Sequence, residues 1–493
     1  MKKFILPILF LFITAAFSTA QVDRSKVPQP GPAPKIQIGD YSSFVLPNGL
    51  KVFVVENHRI PRVSYSLTFI IQPELEGANA GIGSMTSELI GTGTSKRTKD
   101  QINEEIDFIA GSLSANAEGI YASSLKKHTT KLLDVFSDVA MNSVFKNEEL
   151  EKTRTQMLSG LASQKDDPSA IANNVSSRVV FGKNHPYGEF ETEASVSSVT
   201  LDMCNQYYKK YFKPNVAYLT VVGDITTAEA KKLVEKYFST WQKGEVPVKS
   251  YEKPVIPSKS RVIIVDRPAS VQSVINVCYP VDLTLANPDF FKIRVANTVL
   301  GGGVFRLFMN LREKHAYTYG AYSSFSVKPF ATSFEADANV RNSVTDSAVY
   351  QILYEMKRIK DEPVPAEELQ TAKNYLTGNF ALSLERPQTI ASFAVNTERY
   401  KLPKDFYANY LKNIEAVTSN DVQAASKKYI LPEQANILVV GKASEIAEPL
   451  KQFSGEGKIE YYDSDANPVD PNAKAIPAGL TAQQVLDKYI TAV

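Results

Sequence analysis

The chain has 493 residues, of which 43% are hydrophobic and 22% charged, so it holds enough apolar material for more than one folded core. Its net charge of +2, with both signs interspersed, gives no field strong enough to attract nucleic acid or an anionic membrane as the main partner. Two cysteines, Cys204 and Cys278, are too few for a disulfide framework, although a single bridge between them stays open.

The first twenty residues have the pattern of a secretory signal peptide. Two lysines precede an apolar stretch over 4–17, which ends in small residues before Gln21. A retained anchor is the alternative, but the stretch is shorter than the roughly 20 residues that span a bilayer. We therefore predict cleavage after Ala20 and export without stable membrane insertion. The compartment would be the periplasm in a Gram-negative bacterium; otherwise the chain would be secreted.

The segments after residue 20 predict a mixed α/β chain. Residues 21–35 are rich in proline, which favours an extended linker. Residues 44–55 have the pattern of two strands around a Pro-Asn-Gly turn, as expected for a hairpin at a sheet edge. A strand pattern follows, and then three helical patterns; these lie at 64–71, 99–110, 129–143 and 147–164.

An internal repeat relates the two halves of the chain. Segments 199–223 and 417–441 share, in order, Val-Thr, Lys-Lys-Tyr, a proline, an alanine and Val-Val-Gly, and every matched pair is 218 residues apart. A second set, with Glu-Glu-Leu at 148–150, Pro168 and Ile-Ala at 171–172, recurs 219 residues later. Chance similarity between amphipathic helices is the alternative, but the fixed order of helix, proline turn and strand favours duplication.

The repeat predicts the fold class and the domains. A period near 220 residues is too long for a solenoid, so we expect an α+β chain of two homologous α/β sandwich halves. The halves are placed at 36–245 and 259–462, with a proline-interrupted linker at 246–258. The tail at 463–493 ends in an amphipathic pattern, which predicts a short terminal helix or the start of a further domain.

Two duplicated halves of this size, opened by Leu-Pro-Asn-Gly-Leu at 46–50, resemble the pitrilysin (insulinase-like) metallopeptidase family of the processing-peptidase-like type. The resemblance covers roughly residues 36–463. In active members, the first half carries an inverted zinc motif, H-x-x-E-H, on a helix, and a distant Glu is the third protein ligand. Imidazoles and a carboxylate hold the ion, while the motif's own Glu activates the bound water.

The stretch that matches this motif has lost its ligands. Ser84 stands where the first His would be, Ser87 where the catalytic Glu would be, and Glu88 where the second His would be. Alignment puts Gly160 at the third ligand. Two hydroxyls, one carboxylate and a hydrogen cannot hold catalytic zinc, so we expect no metal in this chain. Ser84 and Glu88 leave open a weak hard-cation site, but Ca²⁺ or Mg²⁺ would need more carboxylates.

The histidines do not rebuild a metal site elsewhere. They fall in separate segments without an i, i+4 pair: His58, His128, His185 and His315. An active peptidase with a relocated metal is therefore disfavoured.

The second half keeps other features of the family. Gly301, Gly302 and Gly303 form a glycine loop that lacks the Lys and Ser or Thr of a phosphate-binding loop. The resemblance implies that this loop helps to bind substrate. It also implies that Arg312 and Tyr319, seven residues apart, reach toward a zinc site and polarise the substrate carbonyl. The alternatives are structural: Arg312 pairs with Glu313 and Tyr319 packs beside neighbouring tyrosines, while Arg306 only supports the loop.

Loss of the metal centre together with retention of Arg312 and Tyr319 suggests a division of labour. A zinc-bearing homologous subunit would supply the metal, this chain would supply the donors in trans, and the complex would cleave peptides. The alternative is a non-catalytic scaffold or peptide-binding protein that keeps only the shell of the family fold.

Overall fold

The computed structural model describes residues 38–116, 119–471 and 481–492. The predicted signal peptide and linker at 1–35 lie outside these residues. The described elements form two mixed sheets with helices packed on them, and the first sheet contains β1 to β6. Its strands are β1 (Ser42–Val45), β2 (Lys51–Glu56), β3 (Arg62–Phe69), β4 (Ser112–Asn116), β5 (Gly119–Leu125) and β6 (Ala217–Gly223), in the spatial order β1-β2-β6-β3-β5-β4.

The second sheet contains β7 to β13. Its strands are β7 (Arg261–Asp266), β8 (Gln272–Val281), β9 (Ala321–Val327), β10 (Thr332–Arg341), β11 (Asn436–Gly441), β12 (Ile459–Tyr462) and β13 (Pro468–Val469). Their spatial order is β13-β12-β7-β11-β8-β10-β9.

The described part of the first half contains eight α-helices. They are α1 (Ile82–Leu89), α2 (Lys99–Phe108), α3 (Thr129–Asn142), α4 (Asn147–Gln164), α5 (Pro168–Phe181), α6 (Glu193–Ser198), α7 (Leu201–Tyr211) and α8 (Thr227–Phe238). No described helix or strand falls between Phe238 and Arg261, which includes the predicted linker.

The helices of the second half follow a similar order. They are α9 (Phe290–Gly301), α10 (Arg306–Phe308), α11 (Thr345–Asp361), α12 (Ala366–Ser383), α13 (Pro387–Arg399), α14 (Tyr410–Ala416), α15 (Ser419–Tyr429), α16 (Ala443–Leu450) and α17 (Ala482–Ala492). A π-helical turn, Met309–Lys314, continues α10. The terminal helix predicted in the tail is therefore present as α17.

The two sheets are duplicates in topology. Five strands of the first, β2 to β6, correspond in chain order to β7 to β11 of the second, and they occupy the same relative places. The pairing senses match as well: β2 is parallel to β6 and β7 is parallel to β11, while every other shared pair is antiparallel. This correspondence confirms the predicted fold class.

Hydrogen bonds at the N-termini of equivalent helices are duplicated too. Thr200 caps α7 and Thr418 caps α15, each hydroxyl accepting the N–H of the residue three positions on. The acidic residue that ends β2, Glu56, accepts the N–H of Thr227 at 2.8 Å, and Asp266 at the end of β7 accepts that of Ala443 at 2.9 Å. Each carboxylate therefore sits at the start of a helix, where the dipole favours negative charge.

The halves exchange one helix each. α5 of the first half packs on β8 and β11, with Ile171 beside Val265 and Val440. Reciprocally, α13 of the second half packs on β2 and β6, with Ile390 beside Val55 and Val222 of the first sheet. Because both faces of these central strands are covered, they are almost continuously apolar instead of alternating.

Candidate functional site

The degenerate zinc motif lies on α1, whose N-terminus is held by a carboxylate. Glu76 accepts the N–H of Gly81 at 2.7 Å and that of Gly83 at 3.0 Å. Gly81 has φ 105°, a left-handed value that glycine adopts without strain. Burial raises the pKa of Glu76; the bonds from Gly81 and Gly83 oppose this shift, and Glu189 adds to it.

None of the three motif positions on α1 is arranged as a metal ligand. Ser87 is buried, and its hydroxyl donates to the carbonyl of Gly83 at 2.8 Å, so it is satisfied within its own helix. Ser84 is half-buried and Glu88 is exposed. This arrangement does not resemble the convergent imidazoles and carboxylate of a zinc site.

The fourth position, Gly160, lies on α4, which packs against α1. A Cβ added at Gly160 would meet no atom within 4 Å, so there is open space where a ligand would stand. In the described part of the chain, no three His, Cys, Asp or Glu side chains are grouped so as to hold a metal ion. The residues at the motif positions therefore do not fit the family's zinc.

A cleft of about 700 Å³ opens beside the motif. Its floor is formed by β3, β4 and β5, one wall contains Ser87 and the start of α1, and Arg399 of the exchanged helix α13 also lines it. Its charged lining comprises that guanidinium and four carboxylates: Glu74, Glu76, Glu189 and Glu191. The cleft is therefore polar and mainly acidic.

Several of these carboxylates already have partners. Glu189 accepts the N–H groups of Glu76 and Gly77 at 2.7 Å each. Glu74 pairs with Lys249 and, at 3.7 Å, with Lys210. The sequence did not reveal this cluster, because the pair Glu74 and Glu76 lies more than 100 residues from the pair Glu189 and Glu191, and the four follow no motif spacing.

Arg312 and Tyr319 are both in the second half but do not line this cleft. Tyr319 is 91% exposed, so it is not packed beside other tyrosines. Arg312 is half-exposed, lies 3.5 Å from a carboxylate oxygen of Glu313, and has its guanidinium 4.7 Å from the ring centre of Phe308. The ion pair expected in the structural alternative is thus present for Arg312, whereas the packing expected for Tyr319 is not.

The glycine loop has a packing function. A Cβ at Gly301 would lie 2.7 Å from the backbone nitrogen of Ser323, so glycine lets α9 approach β9 closely. Gly302 and Gly303 follow the end of α9, and a Cβ on Gly303 would lie 3.2 Å from the Tyr375 hydroxyl. Among described residues, none of these three glycines has positive φ.

Arg306 supports this region from inside. It is buried and donates two hydrogen bonds to Glu368, at 2.7 and 2.8 Å, which ties α10 to α12. Such a bidentate pair fixes geometry. The support role considered for Arg306 therefore agrees with its contacts.

Among the histidines, His58 and His185 contact other side chains. His58 lies 2.5 Å from Asp224, and His185 is buried in a stack of aromatic rings with Phe181. Cys204 and Cys278 are both free and buried, so the bridge left open by the sequence is not formed.

Among the described residues, no helix has both the length and the apolar character needed to cross a membrane.

Comparison with known proteins agrees with this architecture. Residues 76–187 match insulinase (peptidase family M16), and residues 198–376 match the peptidase M16 inactive domain. The chain is 25% identical over 354 residues to the uncharacterized zinc protease YmxG of Bacillus subtilis, covering 69% of this chain and 84% of that protein. It is 24% identical over 449 residues to the non-peptidase homolog YmxG of Helicobacter pylori, covering 87% and 94%.

A solved structure shows the same fold. The peptidase M16 inactive domain from Pseudomonas fluorescens aligns with a TM-score of 0.75 at 22% identity, covering 82% of this chain and 98% of that one. Fold and site thus define a duplicated peptidase-like protein whose metal position has lost its ligands. The chain belongs to the insulinase, or pitrilysin, family of peptidases (M16).

Proposed function

We propose that this chain is the zinc-less subunit of an exported heteromeric M16 peptidase. The observation that carries the proposal is the placement of Tyr319, which is 91% exposed and outside the chain's own cleft. Half-exposed Arg312 is likewise outside it. Because these two hydrogen-bond donors lie outside the chain's own cleft, they are available to a zinc-bearing partner.

The chemistry of the two side chains suits this role. A guanidinium and a phenol can both donate to a peptide carbonyl and to the oxyanion that forms when water attacks it. The contact of Arg312 with Glu313 is a long, surface ion pair, which contributes little to stability. It can therefore be exchanged for a substrate at small cost. Zinc would be bound by the partner, in which the motif is intact.

The location follows from the predicted signal peptide at 1–20. Export would put the chain in the periplasm of a Gram-negative bacterium, where both subunits would meet short or unfolded peptides.

The test is reconstitution from native extract. The tagged mature chain is used to capture partners, and the eluate is assayed on a quenched peptide with and without a chelator. We expect a homologue with an intact zinc motif and activity that the chelator abolishes. An inert eluate without such a homologue would contradict the proposal.

Variants then separate catalysis in trans from scaffolding. Tyr319→Phe and Arg312→Ala should each lower turnover by roughly 10²-fold while the complex still assembles. The matched controls, Tyr350→Phe and Lys314→Ala, alter exposed side chains of the same half and should leave turnover unchanged. Unchanged turnover in the Tyr319 and Arg312 variants would support a scaffold.

A second candidate function is peptide binding without cleavage. The cleft of about 700 Å³ favours it, because its floor ends at β4, the edge strand of the first sheet. An edge strand has unpaired backbone groups that an extended peptide can join. Binding of peptides by the isolated chain, with no zinc-bearing partner recovered, would favour this candidate.

A further inference from the structure

The duplication gives the cleft floor of the first half an equivalent in the second. Val222 pairs with Ser64 across β6 and β3, and its repeat partner Val440 pairs with Val274 across β11 and β8. Two residues further along β3 and along β8, the pairing places a row of three side chains across three neighbouring strands in each half. The row that lines the first cleft is Ser66, Tyr121 and Ser114. Its counterpart is Asn276, Asp337 and Tyr322.

The second row carries charge that the first lacks. Asp337 stands where Tyr121 stands in the first half, and Glu335, two residues earlier on β10, stands where Gly119 does. Because side chains two apart on a strand leave the same face, the two carboxylates are neighbours, with Cα atoms about 6.6 Å apart. Within the described residues, no cation lies within 4.0 Å of either carboxylate, and no group donates a hydrogen bond to either of them.

An uncharged acceptor in the same row also lacks a donor. Asn276 is directly opposite Asp337 in the antiparallel register, so both side chains leave the same face. It is only 2% exposed, and its Oδ1 has no hydrogen-bond partner. A buried polar oxygen without a partner destabilises the fold and requires an explanation.

A protein cation close to this row, Lys328, is engaged elsewhere. Lys328 interacts electrostatically with Glu335, but its ammonium lies 4.8 Å from the ring centre of Tyr187 and 5.5 Å from that of Phe181. Burial, with a smaller contribution from Glu335, raises the pKa of Asp337 to about 6. Solvent reaches Asp337, yet the surrounding protein atoms still disfavour its charge.

We propose that Asn276, Glu335 and Asp337 form a binding site for the guanidinium or ammonium group of a basic peptide side chain. The row offers three oxygen acceptors and needs donors. A guanidinium supplies five N–H groups in a plane and an ammonium supplies three. Either would offset part of the negative charge of the two carboxylates.

The neighbouring strand indicates that the cation is part of a peptide. β9 is the last strand of the second sheet, as β4 is of the first. It carries Tyr322 beside Asp337 and Ser324 beside Glu335, and both are exposed. An extended peptide that pairs with the free edge of β9 would direct alternate side chains onto this face.

The experiment measures peptide affinity of the chain alone by fluorescence anisotropy. The probe is an N-acetylated, labelled pentapeptide with one Arg, and its control has citrulline, which keeps the shape but not the charge. A third peptide has citrulline and a free N-terminal amine. The wild-type chain should bind the Arg peptide about tenfold or more tightly than the acetylated citrulline peptide. A preference for the third peptide instead would overturn the assignment to a side chain.

Substitutions locate the site. The double variant Glu335→Gln/Asp337→Asn should lose that tenfold preference, yet melt at the same or a higher temperature, because it removes two unpaired charges. The control double variant Asp282→Asn/Glu448→Gln removes two exposed, ion-paired carboxylates and should keep the preference. Unchanged preference in the Glu335/Asp337 variant, or displacement of the peptide by millimolar CaCl₂ through direct Ca²⁺ binding, would overturn the proposal.

This site requires neither a partner subunit nor Arg312 and Tyr319. Its failure and the failure of the proposed peptidase role can therefore be told apart, since one is measured on the isolated chain and the other on the complex.

Discussion

The two halves share a backbone but differ in the side chains that cover equivalent faces. Strand order, pairing sense, helix caps and the exchanged helices recur. The row over β3, β5 and β4 is neutral, whereas its counterpart over β8, β10 and β9 contains Asp337 and has Glu335 beside it. Sheet pairing uses backbone groups, so the side chains at these positions can diverge without loss of the fold. The two halves therefore share one backbone topology but carry different side chains on equivalent sheet faces.

The largest expected effect comes from restoring the lost ligands of the first half. The quadruple variant Ser84→His/Ser87→Glu/Glu88→His/Gly160→Glu should retain about one zinc per chain after dialysis, because it provides the full ligand set with space at Gly160. Metal content by mass spectrometry is the measurement. The triple variant that keeps Gly160 has one ligand fewer and should retain much less; equal retention would show that α4 does not face the motif.

The next effect concerns the reciprocal exchange of helices. Ile171→Ala and Ile390→Ala each remove a buried side chain from α5 or α13, so each should lower the free energy of unfolding by roughly 2–4 kcal/mol. Urea denaturation checks this. Because the two sites are in separate clusters, the double variant should show the sum of the two losses. A negligible cost at one site would mean that the exchange stabilises only one half.

Two glycines should respond in opposite directions. Gly301→Ala places a Cβ 2.7 Å from a backbone atom of β9 and should cost roughly 1–3 kcal/mol. Gly160→Ala adds a Cβ in open space within a helix and should stabilise by about 0.5–1 kcal/mol. Thermal melting of both variants beside wild type tests the contrast, and equal melting temperatures would refute the packing role of Gly301.

An effect of similar size to that at Gly160 is a pH dependence that arises in the second half. Folding raises the pKa of Asp337 from 3.8 to about 6, so the folded state binds more protons than the unfolded state between these values. Its ionisation therefore destabilises the fold as pH rises through this window. The titratable groups beside it are Glu335 on the same strand and Tyr322 on β9, and Lys328 interacts electrostatically with Glu335.

Asp337→Asn removes this penalty. It should stabilise the fold by roughly 1 kcal/mol above pH 6, a value reduced because solvent screens the carboxylate, and the gain should vanish below about pH 4. Melting temperatures at pH 4 and pH 7 provide the measurement. Glu448→Gln, an exposed and ion-paired position, should show no such gain.

The sequence by itself determined the family, the duplication and the loss of the zinc ligands. These follow from order and spacing along the chain: Ser84, Ser87 and Glu88 occupy motif positions, and the repeat needs no gap. Helix α4 has the predicted bounds, Asn147–Gln164, because its acidic first turn and the Asp-Asp-Pro after it are local signals.

Only the tertiary structure decided what surrounds those positions. The exchange of α5 and α13, the carboxylate of Glu76 on the N-terminus of α1, and the meeting of Asn276 with Asp337 join residues far apart in the chain. Such contacts depend on sheet register and on which helix covers which strand. Neither leaves a periodic or motif signal, because the same apolar strand can be covered by a helix of its own half or of the other.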